Sequence, residues 1–290
     1  MRNMDNQPSE LCQEFARILG STPSVINGVC TATRSRTNLH PVVLGRKAES
    51  FMFVPQAFSF EALDRNGRGL CLGETVILQE EINPFMSKLR EHDIIVTAVH
   101  NHWLFDQPRL MYMHFESIDK PLSFARKVRD ALKVLTTRDV YADRRPVDSD
   151  YSEPNICERF NEILKGSMHT FENGVCTVMK SRTNIHPQVL GREGKSFLLI
   201  PQMFTFESMT GDGEALCSGE TVILQTEINP FISKLREHNI IVTAVHNHWL
   251  FDQPRLMFMH FESIDHPLSF ARKVKDALSV LTTRPVYPKE

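Results

Sequence analysis

Long apolar runs are absent: nothing in the 290 residues approaches the about eighteen consecutive apolar positions that a membrane-spanning helix needs. The opening segment, Met1 to Glu10, is polar and has no stretch of the kind that directs export. A surplus of positive charge is absent too. Lys and Arg total 33 against 35 Asp and Glu, a net charge of -2, so no basic stripe is available to neutralise phosphates, and nucleic acid is excluded as an expected partner. A membrane is no better supported. Together these absences predict a soluble, cytoplasmic protein.

What is present is a repeat. Gly28 to Arg138 aligns without a gap to Gly174 to Arg284, at a constant offset of 146 residues. The chain is therefore read as two domains, 1–140 and 153–290, joined by a linker at 141–152, each long enough to bury a core of its own. Divergence between the copies is uneven. From Thr97 to Arg138, 38 of 42 residues match the second copy, whereas from Gly28 to Leu72 only 24 of 45 do. Cores accept volume-conserving swaps cheaply, so packing alone does not explain the first segment's resistance to drift. Cysteine is sparse: Cys12, Cys30 and Cys71 correspond to Cys157, Cys176 and Cys217, three per half with no Cys-x-x-Cys spacing. That odd count reads as reduced, buried thiols.

Each half opens with a short amphipathic helix, Leu11 to Leu19 and Ile156 to Leu164. Strand-like segments follow at Ser24 to Thr33, around Pro41 to Gly45, and at Phe51 to Phe60 and Glu74 to Glu81. Asn83-Pro84 reads as the start of a helix through His92. Strands Ile94 to Trp103 and Leu110 to Glu116 form a hairpin, and a helix from Pro121 to Leu135 closes the half with one apolar stripe. The pattern predicts an α+β fold: two tandem domains, each a largely antiparallel sheet with flanking helices, packed as a pseudo-two-fold dimer.

The slow-drifting segment carries His100, His102 and His114, repeated as His246, His248 and His260. Residues i and i+2 of a strand share a face, so His100 and His102 project together. His114 joins them if opposed positions sum to an even value such as 214, which places His100 opposite His114. Three converging imidazoles supply the ligands of a divalent transition metal such as zinc, iron or manganese, with an open position for water or substrate. Glu81 and Glu227, at the end of the preceding strand, are the candidate fourth ligand or general base. A two-histidine-one-carboxylate variant would suit non-haem iron. The alternative is a polar patch in which the rings only bond to one another.

Arg36, Asn38 and His40, with Arg182, Asn184 and His186, survive inside the faster-drifting region and are candidate contacts for an anionic or carbonyl-bearing substrate; a turn held by Asn and Pro is the competing reading. His92 and His238 sit at a helix C-terminus, where a cationic ring suits the dipole. Trp103 and Trp249 are expected as pocket wall or core. Asp106 with Arg109, and Asp252 with Arg255, are expected to pair across the hairpin turn, and Met111 and Met113 to fill the face opposite the histidines.

The run Ile94 to His102, followed by Pro108-Arg109-Leu110 and Met113-His114-Phe115, resembles the signature of the LppY/LpqO-like family of bacterial proteins, and Ile240 to Phe261 resembles it again. Gly73-Glu74 and Glu81-Ile82-Asn83 resemble the segments that precede it there. The resemblance covers most of both halves and implies a domain of unknown function. Some members are exported lipoproteins, but neither their leader nor their lipobox cysteine is found here. The residues themselves point to one metal site per half acting on a small polar or anionic substrate, through metal-activated water or acid-base chemistry, as a metal-dependent hydrolase or lyase would. A non-catalytic binding module and an interaction protein with structural histidines remain as alternatives, and a further homo-oligomer is left open.

Overall fold

The computed structural model describes residues 7–147 and 153–288. The first half runs α1 (Glu10–Leu19), β1 (Thr22–Ile26), β2 (Val29–Ser35), the two-residue strands β3 (Leu39–His40), β4 (Val42–Val43) and β5 (Arg46–Lys47), then β6 (Pro55–Glu61), β7 (Gly69–Leu78), α2 (Ile82–Glu91), β8 (Ile95–His100), β9 (Leu110–Asp119), α3 (Pro121–Ala131) and β10 (Val140–Tyr141). The second half repeats this as α4 (Pro154–Leu164), β11 (Met168–Glu172), β12 (Val175–Ser181), β13 (Gln188–Val189), β14 (Arg192–Glu193), β15 (Pro201–Glu207), β16 (Ala215–Leu224), α5 (Ile228–Glu237), β17 (Ile241–His246), β18 (Leu256–Asp265) and α6 (Pro267–Ala277). Each half holds a six-stranded antiparallel sheet, in the order β1-β2-β6-β7-β9-β8 and β11-β12-β15-β16-β18-β17. Among the described residues no helix is long and apolar enough to cross a membrane.

Local chemistry sets several boundaries. Ser9 caps α1 by accepting from the Cys12 amide, and Gly20 ends the helix in the left-handed region at φ 64. The segment expected as a single strand, Ser24 to Thr33, is two strands joined at Asn27-Gly28. Both residues have positive φ, which an Asn-Gly hairpin turn requires; Asn173-Gly174 does the same in the second half. The strand expected to reach Glu81 stops at Leu78, where a 3-10 turn covering Gln79–Glu81 leads into α2. The linker is partly tied down, because Val140 and Tyr141 pair with Leu39 and His40; residues 148–152 of it lie outside the described residues.

All ten residues of β7 are buried, and alternation explains why. Cys71 and Ile77 face one way, into a core shared with Phe15 of α1, Phe85 of α2 and Phe124 of α3. Leu70, Leu72, Val76 and Leu78 face the other way, into two cores that mix residues of both halves, such as Trp103 with Phe197 and Leu70 with Trp249. The two sheets therefore meet face to face with helices outside, as a self-complementary pseudo-dimer. Reciprocal clasps seal the rim. Glu61 accepts from the Lys195 and Ser196 amides, while its counterpart Glu207 accepts from those of Glu49 and Ser50. Met111 and Met113 do lie on the helix-side face.

The cysteines correct the expectation of free thiols. Packing of α1 on the β1–β2 hairpin joins Cys12 to Cys30, and Cys157 is joined to Cys176 in the same way. An odd number per half requires only that one remain unpaired, and that one is buried Cys71 or Cys217. Titration with a thiol reagent in denaturant, before any reduction, is expected to find the two thiols of Cys71 and Cys217 per chain and all six after reduction; all six reactive at the outset would refute the pairing.

Candidate metal centre

β8 ends at His100 and β9 begins at Leu110. The intervening loop is pinned by Asp106, which pairs with Arg109 at 2.6 Å and accepts from the Leu110 amide at 2.7 Å; Asp252 and Arg255 repeat the pair at 2.8 Å. The register differs from the expected one by two residues. Ala98 stands opposite His114, and His100 stands opposite Tyr112, with a bulge between Val96 and Ala98. The opposed numbers still sum to an even value, so His100, Tyr112 and His114 share the face that meets the other half. The bulge has its own use. It turns Thr97 so that its hydroxyl donates to the His248 carbonyl at 2.5 Å, and Thr243 donates to the His102 carbonyl at 2.6 Å. Each half thus holds the other half's second histidine.

That exchange gathers all six histidines into one cluster, where a separate trio per half was expected. The rings form three stacks across the pseudo-two-fold axis: His100 on His246 at 3.5 Å between centroids, His102 on His260 at 3.7 Å, and His114 on His248 at 3.7 Å. Tyr112 extends the second stack at 3.6 Å and Phe258 the third at 3.6 Å. Trp103 stands edge-on to His102 and His260, Trp249 to His114 and His248, so both tryptophans wall the cluster. The Trp103 indole donates to the Tyr112 hydroxyl, which donates on to the Phe53 carbonyl; with Phe258 in the second half, Trp249 donates directly to Leu198.

His102, His114, His248 and His260 are almost wholly buried, and His100 and His246 are half-buried at the edge of the cluster. Among the described residues neither ring nitrogen of His114 or His260 has a hydrogen-bond partner, and Nε2 of His102 has none; His246 Nε2 approaches His248 Nε2 at 3.1 Å. Burial pushes every one of these imidazoles below its ordinary pKa, His100 to about 3. They are therefore neutral at physiological pH with lone pairs available, which is the ligand form.

Two carboxylates that the sequence reading did not select complete the site. Glu74 lies opposite His114 on β7, and Glu220 lies opposite His260 on β16. Burial raises Glu74 to about 8 and raises Glu220 further above the carboxylate range, with the Glu74 charge adding to the effect. One ligand atom each from Glu74, His102 and His114 lie within 4.8 Å of one another, and the same holds for Glu220, His248 and His260. A third set, His100, His102, His246 and His248, meets the same limit across the axis. Strand parity was the available signal: Glu74 is on the same face of β7 as the inward Leu72 and Val76.

Glu81 and Glu227 stand elsewhere. The 3-10 turn carries Glu81 past the end of β7 into a buried pair with Arg36, at 2.6 and 3.0 Å, where it also accepts from the Leu78 and Thr136 amides. Glu227 is held identically by Arg182, Leu224 and Thr282; burial works against its charge, but Arg182 and these amides keep the carboxyl below its usual range. Arg36 and Arg182 also donate to backbone carbonyls, and Asn38 bonds Thr136 and Arg138 as Asn184 bonds Thr282 and Arg284. His40 pairs with Glu49 and stacks on Tyr141; His186 stacks on Tyr287. This constellation ties the segment after each closing helix to the sheet, and none of its members joins the histidines. His92 and His238 cap α2 and α5 and pair with Asp130 and Asp276.

A family model described as Domain of Unknown Function (DUF1259) matches twice, at residues 13–134 and 158–280. No curated protein matches. Two solved structures are similar over most of their length: EtuB from Clostridium kluyveri, at 8% identity, 80% of this chain, 94% of that one and a TM-score of 0.20, and the trimeric bacterial microcompartment shell protein PduB, at 8% identity, 86% and 87% coverage and a TM-score of 0.19. Scores so low carry no argument about fold or function.

Proposed function

Because the chain belongs to the family described as Domain of Unknown Function (DUF1259), over two tandem copies, we propose its function from the site alone: it binds divalent transition metal, zinc, iron or manganese, in the histidine cluster between its halves. The observation that carries this is the concentration of buried, neutral imidazole nitrogens without hydrogen-bond partners. Native interiors pair nearly all such atoms, and nitrogen and carboxylate donors within 4.8 Å of one another can converge on one ion. A purely structural patch would spend those nitrogens on hydrogen bonds.

The catalytic extension of this reading is activation of water for hydrolysis or proton abstraction on a small polar or anionic ligand. Glu74 and Glu220 take the place of Glu81 and Glu227 as ligands or bases, and entry is past half-buried His100 and His246. An ion among uncharged rings adds net positive charge, which favours an anionic ligand. The family match supports the tandem domain of unknown function, and the resemblance to LppY/LpqO-like proteins adds no chemistry to it. As to location, the paired cysteines favour an oxidising compartment.

Untagged protein, stripped with chelator and reloaded, is expected to hold about two divalent ions per chain by plasma mass spectrometry. Uptake below about 0.2 per chain with each of zinc, iron and manganese would sink the proposal.

A further inference from the structure

Within that metal-binding reading, we infer that the two Glu-His-His sets form one dinuclear centre astride the pseudo-two-fold axis, with Glu74, His102 and His114 holding one ion and Glu220, His248 and His260 holding the other.

Three observations carry this. First, each set is complete within its own half and draws one carboxylate from the central strand and two histidines from the neighbouring hairpin. Two histidines and a carboxylate leave coordination positions open. Second, the sets interleave. The first set's His102 lies 3.7 Å from the second set's His260, and its His114 lies 3.7 Å from His248. Rings of the two sets stacked at that centroid spacing would hold their ions as neighbours, the arrangement that two-metal sites use. Third, Glu74 and Glu220 line the same small cavity of about 30 Å³, walled otherwise mainly by apolar side chains such as Met52, Phe197 and Met203. That space admits about one or two waters. The two carboxylates, one from each set, therefore approach each other across the axis.

The competing arrangement is a single ion in the four-histidine set, which draws on His100 and His246 and leaves both glutamates unused. It also consumes His102 and His248, so it excludes both Glu-His-His sets. Charge separates the two. Four neutral imidazoles leave their ion with its full double charge, whereas each glutamate, on giving up its proton to metal binding, leaves its ion with a single net charge.

Manganese(II) loading, read by mass spectrometry and electron paramagnetic resonance, tests the assignment in the full chain. The native protein is expected to take up about two ions per chain and to show a half-field transition, which isolated ions do not give. Glu220→Gln keeps volume and a polar head; it is expected to halve the uptake and replace the half-field signal with the hyperfine pattern of an isolated ion. Glu74→Gln should do the same from the other side. His100→Gln with His246→Gln should keep the paired ions. Two ions without coupling, or a single ion lost in the His100/His246 variant and indifferent to both glutamate changes, would overturn the dinuclear assignment and leave metal binding intact. No uptake of manganese, nor of zinc or iron in parallel loadings, would overturn both. Circular dichroism of each variant in chelator confirms that the comparison is between folded proteins.

Discussion

Arg36→Ala will cost about 3–5 kcal/mol of stability, because it leaves a buried carboxylate without its charge partner. Arg36 and Glu81 have side chains only 4% and 5% exposed. The guanidinium makes two parallel bonds to the carboxylate and reaches the Val76 and Thr136 carbonyls as well. Truncation therefore strands Glu81 inside the protein and releases the segment after α3. The expected readout is a lower denaturant midpoint in chelated samples, with metal uptake by the remaining folded protein unchanged, and Arg182→Ala should behave alike through Glu227. An Arg36 variant as stable as the native chain but impaired in binding a small anion would restore the substrate-contact reading.

Why that constellation looked functional in the sequence is instructive. Arg36, Asn38 and His40 resisted drift in a variable region, and a buried Arg-Glu pair resists drift for the same reason as a binding site: neither partner can change alone. Sequence separation hid the partner. Arg36 and Glu81 are 45 residues apart, and Asn38 bonds carbonyls about 100 residues on. Spacing within a motif cannot reveal such closures. The α+β architecture and the pseudo-dimer were legible because periodicity and duplication are local or global signals that need no contact information. Hairpin parity was legible too, since it depends only on which strand positions alternate, whereas the register moved by two residues because Asp106 and the bulge at Thr97 set the loop. Glu74 was within reach of the same parity argument. An acid inside a hydrophobic strand reads as a weak strand position until the neighbouring hairpin of its own half supplies His102 and His114.

The merging of two expected sites into one had no sequence signal at all. Self-complementary packing brings a patch near the axis against its own copy, so residues close to the axis meet their duplicates and those far from it do not. His100 and His246, 3.5 Å apart, lie closest to it. The strong match of Thr97 to Arg138 between copies then has two causes acting together. One is the ligand geometry, and the other is that each half must fit its twin through Thr97, Thr243 and three ring stacks. Either copy drifting alone would spoil the other's histidines.

The largest effect on metal content is expected from His102→Gln combined with His248→Gln. These two residues belong to all three groups of donor atoms that the fold brings together, so no arrangement of the cluster survives their loss. Metal content should fall from about two ions per chain to less than about 0.2. Glutamine preserves a polar, space-filling side chain between Tyr112 and His260, and between Phe258 and His114, so most of the interface packing is retained. Leu132→Ala supplies the opposite control. Leu132 belongs to the core under the helices, far in the fold from the inter-sheet face, and its truncation should cost about 2–5 kcal/mol while the folded fraction keeps its metal. The comparison must be made on chelated samples, because bound metal stabilises the native state by mass action. If the histidine double variant keeps its full metal content, the ligands lie elsewhere. If its chelated form instead loses as much stability as Leu132→Ala, the six rings are a packing device that joins the halves, and the metal reading falls with them.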